Sequence, residues 1–296
     1  MAGASGFVGS QLCCALVREG LDVRAMTRRP ADYRGAGRAV YGDVQDEASL
    51  RRALDGVESA YYLVHSLERD DFEHHDARAA RTFARAAAEA GVRQIIYLGG
   101  LGKDGTHLSS HLRSRRQVER LLRSTDVPVT VLRAAVIVGH GGISWEITRQ
   151  LVEHLPAMVA PRWVRTRTQP ISLHDTVRYL VGVLGRADAL DRIFEIGGPE
   201  VMRYVDMLKR VARIRNKLLP IVEVPLLSPR LSSAWLALVT DVEFATARNL
   251  VDSMITEVVA IDDDIRRIVP GELQGFDDAV RSALQARHGE RARAGR

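Results

Sequence analysis

Three glycines at a spacing of three, Gly3-x-x-Gly6-x-x-Gly9, open the chain in the stretch MAGASGFVGSQL. Glycine lets a backbone approach a pyrophosphate closely, and a helix that starts in such a loop offers unpaired N–H groups and the positive end of its dipole. Gly3, Ser5, Gly6, Phe7, Val8 and Gly9 are therefore candidate cofactor contacts. About twenty residues on, where a dinucleotide ribose would lie, a strand-like run ends in Thr27-Arg28-Arg29. A carboxylate there would accept from a ribose 2′-hydroxyl and repel a 2′-phosphate. Arginine instead binds a phosphate through charge-assisted hydrogen bonds, so the expected cofactor is NADP(H). Asp43, after Gly42, is placed either to meet an adenine ring edge or to form an ordinary turn. Val64 ends another strand with His65 just after it, and Leu98 and Gly99 stand at the end of the next. Open α/β sheets bind ligands at such carboxyl ends.

These residues need a sheet to hold them, and the sequence alternates strand-like with helix-like segments. Strands are expected over Leu21–Thr27, Val40–Asp43, Ala60–Val64, Gln94–Leu98, Val127–Val138 and Arg192–Ile196. Helices are expected from Asp46 to Leu54, across roughly 71–90 with Gly91 as the stop, and over 107–123, 144–154 and 174–184. Tyr204, Met207, Leu208, Val211 and Ala212 have the spacing of a buried helical stripe, and two or three further helices follow, ending at Phe276–Leu284. Apolar strands alternating with amphipathic helices predict a parallel sheet covered on both faces.

The chain has 296 residues, 46% of them hydrophobic. That length suits a single domain over 1–285, with a substrate lobe mainly from 140–170 and 199–275. From Ala286 a basic tail without apolar period is expected to fray. The formal charge is +5, but the arginines form no continuous stripe, and no nucleic-acid partner is expected. The longest apolar run, Ala234–Val239, is too short to span a membrane. No secretory leader is recognised, and adjacent Cys13 and Cys14 suit no mutual disulfide, so a cytoplasmic location is expected. No His, Cys and carboxylate set has metal-ligand spacing, and no metal is expected. The oligomeric state is left open.

GASGFVGSQL, AYYLVHS, VTVLRAAVIVG, RWVRTRTQPI, FEIGGPEV and FDDAVRSAL together resemble the atypical short-chain dehydrogenase/reductases, in particular the YbjT-like, NmrA-like NAD(P)-binding group. The resemblance implies a Rossmann-like doubly wound parallel sheet with a small C-terminal substrate lobe. It also implies a central first strand, of which only Met1-Ala2 precedes the glycine turn. Met1 is thus expected to be a misassigned start, or else the strand is truncated and its neighbours flank an empty slot.

Ordinary members of that superfamily place a Ser after the fifth strand and Tyr-x-x-x-Lys on the next helix. Here the Ser region reads Leu98-Gly99-Gly100, and the helix reads His111-Leu-Arg-Ser-Arg115. His111 and Arg115 take the Tyr and Lys places on one helix face, either as a catalytic pair or as an exposed polar surface. An arginine cannot exchange protons near neutrality, and it would push a neighbouring histidine below its usual pKa near 6.5. Ser109 and Ser110 are read as helix caps. The substrate pocket is expected near Ile143, Trp145, Trp163 and Arg165. The resemblance implies an NADP-dependent oxidoreductase acting on a small apolar carbonyl- or quinone-like substrate, or a non-catalytic NADP(H)-binding redox sensor or structural protein.

Overall fold

The computed structural model describes residues 1–66, 71–102, 108–160, 162–223, 252 and 254–294. The first helix, α1 (Phe7–Arg18), buries Gly9, Leu12, Cys13 and Leu16, one face at helical spacing. β1 (Arg24–Thr27) pairs in parallel with β2 (Arg38–Tyr41). Helix α2 (Glu47–Leu54) is started by Asp46, whose carboxylate accepts from the Ala48 N–H at 3.0 Å. Next come β3 (Ser59–Tyr62), α3 (Phe72–Glu89), β4 (Gln94–Gly100), α4 (Ser110–Leu122) and β5 (Val129–Ala134). The expected strand over Ala60–Val64 ends two residues early, leaving Val64 and His65 in the loop beyond it.

β3, β4 and β5 are parallel neighbours, and β8 (Ile193–Ile196) joins β5 at the far edge. Between β1 and β3 lies only the stub Met1-Ala2. Ala2 bridges both Met26 and Tyr62 in parallel. Its N–H donates to Tyr61 O at 2.9 Å, and its carbonyl accepts from Leu63 N–H at 3.1 Å. The order is therefore β2-β1-(Ala2)-β3-β4-β5-β8, a doubly wound sheet with the stub in its central position.

Side-chain alternation along these strands feeds a core on each face. Tyr61, Ile96 and Leu132 point into a cluster with Leu12, Leu16, Leu180 and Phe194. Tyr62, Ile95, Tyr97 and Val131 point to the other side, against Leu50, Phe83, Val118 and Leu122. Alanines at 80, 84 and 87 on α3 lie in that second cluster, where small side chains let a helix approach its neighbours closely.

The long apolar segment after Val127 divides instead of running through. After β5 the chain turns and continues as β6 (Ile137–Val138), which pairs with β7 (Ile171–Ser172). The switch comes where β4 ends: Leu101 N–H donates to Ala134 O, and Val136 O accepts from Ile171 N–H. A third core gathers Trp145 and Ile147 of α5 (Ile143–His154), Met207 and Val211 of α7 (Tyr204–Ile214), and Phe276 and Val280 of the C-terminal helix. All five residues of the expected stripe on α7 are buried. The expected lobe includes 224–251, with the run Ala234–Val239, and those residues lie outside the described ones. The expectation of a frayed tail is corrected: Phe276–Ala294 is one helix. Its far end is held by ion pairs that an apolar period does not reveal, Arg287 with Glu153 and Glu290 with His140.

Candidate functional site

Two groups of residues meet at the carboxyl edge of the sheet. The first is the glycine turn. Gly3 has φ +85°, a conformation that L side chains rarely adopt, and a Cβ there would lie 2.8 Å from Leu63 O. Gly9 sits in the first turn of α1, where a Cβ would lie 2.0 Å from Gly3 O, so any side chain would force the turn open. Gly6 occupies the N-cap position, and no side chain caps the helix. The first amides of α1 therefore face the turn without a side-chain acceptor, as an anion site requires. Phe7 packs its ring under Gly139 and Gly142, while Ser5 is exposed and Val8 half-buried.

Thr27, Arg28 and Arg29 stand where β1 ends, two strands from β3. Thr27 Oγ1 accepts from the Arg29 N–H at 3.2 Å, which shapes the turn, and both arginines are exposed. Asp43 accepts from the Gln45 N–H at 2.9 Å through Oδ1, and its own N–H donates to Ser49 Oγ at 3.0 Å. Its turn-forming role is thus visible.

The second group lies at the ends of β3 and β4 under α3 and α4. Ser109 Oγ accepts from the Leu112 N–H at 3.3 Å and starts α4, so His111 falls in its first turn and Arg115 one turn later. The alternative of an exposed polar face is corrected: Arg115 is buried and His111 largely so. The reason is the strand end beneath. A Cβ at Gly100 would lie 2.8 Å from Leu112 Cδ2 and 3.6 Å from Arg115 Cγ. The position next to the absent serine is filled by α4 itself.

Charge governs the two histidines here. Burial, then Arg115, then His65 push the His111 pKa well below its usual value. The Arg115 charge, ahead of burial, also lowers that of His65, although His65 remains exposed at the surface. Both imidazoles are therefore neutral at pH 7. Tyr62 and Tyr97 lie nearby but cannot stand in for an acidic tyrosine. Burial raises the Tyr97 phenol to about 12 and carries Tyr62 further in the same direction. The Tyr97 hydroxyl donates to Arg115 O at 3.3 Å.

Arg116, one residue on, turns into the sheet instead of outward. It donates to Gly100 O at 2.9 Å and Gly102 O at 2.6 Å. Glu119 on the same helix takes both Arg133 Nε at 3.0 Å and Arg133 Nη2 at 2.8 Å. All three side chains are at most 12% exposed. This buried set fixes α4 against β4 and β5, and hence sets where His111 and Arg115 stand. The sequence shows Arg113–Arg116 only as a short basic cluster; the carboxylate three residues after Arg116 is the one hint of pairing.

Of the expected pocket residues, Trp145 and Trp163 are anchors of the third core, with Ile143 and Arg165 exposed. A cleft of about 1630 Å³ runs between α1, α6 (Leu173–Gly182) and the C-terminal helix. It touches the glycine turn at Ser5, Gly6 and Phe7 but is not lined by His65, His111 or Arg115. Among the described residues no group of three or more His, Cys, Asp or Glu could hold a metal. Among the same residues no helix is long and apolar enough to cross a membrane.

Residues 3–163 match the family described as NAD(P)H-binding. The chain belongs to the NAD(P)H-binding family. Its relatives include a (4-alkanoyl-5-oxo-2,5-dihydrofuran-3-yl)methyl phosphate reductase of Streptomyces griseus, 28% identical over 73% of each chain. Sterol demethylase protein B of Methylococcus capsulatus is 33% identical, over 36% of this chain and 35% of its own. Among solved structures, the Citrobacter triphenylmethane reductase complexed with NADP(H) superposes with a TM-score of 0.76 at 18% identity, covering 95% of this chain and 98% of that one. The NADPH-dependent quinone oxidoreductase of Escherichia coli, complexed with NADPH, gives 0.75 at 20% identity, covering 95% and 97%. These likenesses establish a Rossmann-like fold, a parallel sheet flanked by helices. A nicotinamide dinucleotide is the family's cofactor, and the glycine turn of this chain fits its pyrophosphate: the positive φ at Gly3 and the close approach of Gly9 to Gly3 O hold the turn tight, and the uncapped α1 presents its first amides there.

Proposed function

We propose that the protein is an NADP(H)-dependent oxidoreductase acting on a small, apolar carbonyl- or quinone-like substrate. The observation that carries this reading is the placement of His111 and Arg115 together, at the ends of β3 and β4 and on the same sheet edge as the glycine turn. In this reading Gly3, Ser5, Gly6, Phe7, Val8 and Gly9 hold the pyrophosphate, and Thr27, Arg28 and Arg29 take the 2′-phosphate. Asp43 borders the adenine, while Val64, His65, Leu98 and Gly99 border the nicotinamide half. The bound cofactor supplies the hydride. Arg115 grips ribose hydroxyls as a permanent donor. His111, neutral at pH 7, donates one N–H to the substrate oxygen, orienting and polarising it as an electrophile, and the oxyanion left by hydride addition takes its proton from solvent water.

Two features favour a second reading, a non-catalytic NADP(H)-binding redox sensor or structural protein: Gly99 and Gly100 carry no hydroxyl, and His111 is a weak acid. The two readings part on His111→Ala assayed for NADPH oxidation against quinones, enones, aldehydes and ketones. The enzyme reading expects turnover that falls about 100-fold with NADPH affinity nearly unchanged. Absence of turnover across the panel, with NADPH still protecting against unfolding, would establish the second reading instead.

A further inference from the structure

Asp76 is not used by that reading, yet it lies in the same buried cluster. It sits on α3 and is 3% exposed, while Arg115, on the helix packed beside α3, is 7% exposed. Its carboxylate is bonded by both the hydroxyl and the backbone N–H of Ser66, the residue after His65. Tyr62 lies close by, fully buried, with no hydrogen-bond partner for its hydroxyl among the described residues, its ring packed edge-on against Phe83 at 4.9 Å. A carboxylate this deeply buried needs a compensating charge. Burial raises the Asp76 pKa, and Arg115 is the first influence that opposes it.

We infer that Asp76 is a positioning residue that balances the Arg115 charge beneath the nicotinamide and so sets the relative affinity for the oxidised and reduced cofactor. The inference rests on the proposed seat of the nicotinamide over Arg115. With His65 and His111 neutral, Asp76 and Arg115 make the floor of that seat electrically balanced. A balanced floor tolerates the cationic ring of NADP⁺ as well as the neutral ring of NADPH. Removing the carboxylate leaves Arg115 alone under the ring, where it opposes the oxidised form selectively.

The test titrates NADP⁺ and NADPH separately against the intact chain, wild type, Asp76→Asn, Arg115→Gln and the double variant. Asp76→Asn keeps the side chain's size and should raise the Kd for NADP⁺ roughly tenfold relative to that for NADPH, the scale of one charge acting at an effective dielectric near 20. Arg115→Gln should weaken both cofactors but move their ratio the opposite way. The double variant should return the ratio to within about twofold of wild type, as coupled charges require. A purely structural role for Asp76 would weaken both forms in parallel, and an unmoved ratio overturns the inference. If Asp76→Asn does not fold, Arg115→Gln decides by its own ratio, an unmoved one again overturning it. A wild-type chain that binds neither cofactor would overturn the proposed site itself, an outcome distinct from an unmoved ratio.

Discussion

The two ends of the proposed cofactor site are built by opposite means. At the phosphate end, the glycine turn and the end of β1 present backbone amides and exposed arginines, with Gly3 and Gly9 letting the turn close tightly on itself. At the nicotinamide end, the work falls to side chains out of water: Arg115, Asp76, and beneath them Arg116, Glu119 and Arg133. An exposed charge is screened and acts mainly on a ligand that brings its own charge. A buried one is coupled to its neighbours and to the fold itself. Substitutions at the two ends should therefore fail in different ways.

The largest effect is expected at the buried end. Glu119→Leu removes the carboxylate shared by Arg133 and Arg116, leaving guanidinium groups buried without it. Breaking such a pair from one side costs on the order of 3–5 kcal/mol, whereas replacing both partners with apolar groups can be close to neutral. Urea unfolding should show the full loss for Glu119→Leu and recovery of much of it in Glu119→Leu/Arg133→Met. Equal loss in the single and double variants would mean that the pair does not act as a unit.

At the exposed end the fold should be indifferent and the ligand sensitive. Arg28→Ala should leave the unfolding midpoint of the free protein unchanged. It should weaken NADPH about tenfold while hardly touching NADH, because only the former carries the 2′-phosphate. Calorimetric titration of the two cofactors reads this directly. Equal weakening of both would place Arg28 with the buried end in character, supporting the turn instead of the phosphate.

The same contrast explains what the sequence disclosed. Glycine spacing, strand alternation and the cap at Ser109 are local patterns, so the turn, the sheet and the start of α4 were all readable from neighbouring residues. The pairing of Glu119 with Arg133 joins a helix to a strand 14 positions away, and Asp76 bonds Ser66 and feels the charge of Arg115 from a third element. No local period encodes such meetings, and in an arginine-rich chain buried guanidinium groups look like surface ones. Trp145 and Trp163 show the reverse error of emphasis: large aromatic rings attract a pocket assignment, but here they fill the third core. The C-terminal helix was legible to Leu284, and its continuation was hidden for a related reason, since charged pairs rather than an apolar stripe hold its far end.

The smallest effect expected is a pH dependence confined to the buried end. His111 has a folded-state pKa well below its usual value, chiefly through burial. Below neutrality the unfolded chain binds a proton at this residue that the folded chain refuses, so stability rises with pH there and is lost as pH falls through about 6.5. Between pH 7 and pH 6 the contribution of one such histidine is about 0.7 kcal/mol. Other groups titrate in the same window, so the quantity to measure is the difference between wild type and His111→Gln, which cannot take up the proton. The variant should lose less stability than wild type on acidification from pH 7 to pH 6, with parallel behaviour above pH 7.5. The corresponding comparison for Arg28→Ala should show no such divergence, because that residue stays charged throughout and is exposed. A His111→Gln curve that tracks wild type across the range would mean that the imidazole takes up its proton as readily in the folded chain as in the unfolded one. His111 would then be cationic in mild acid, a proton donor rather than a neutral hydrogen-bonding electrophile, and the rate of any NADPH oxidation should fall as pH rises past 6.5 instead of staying level.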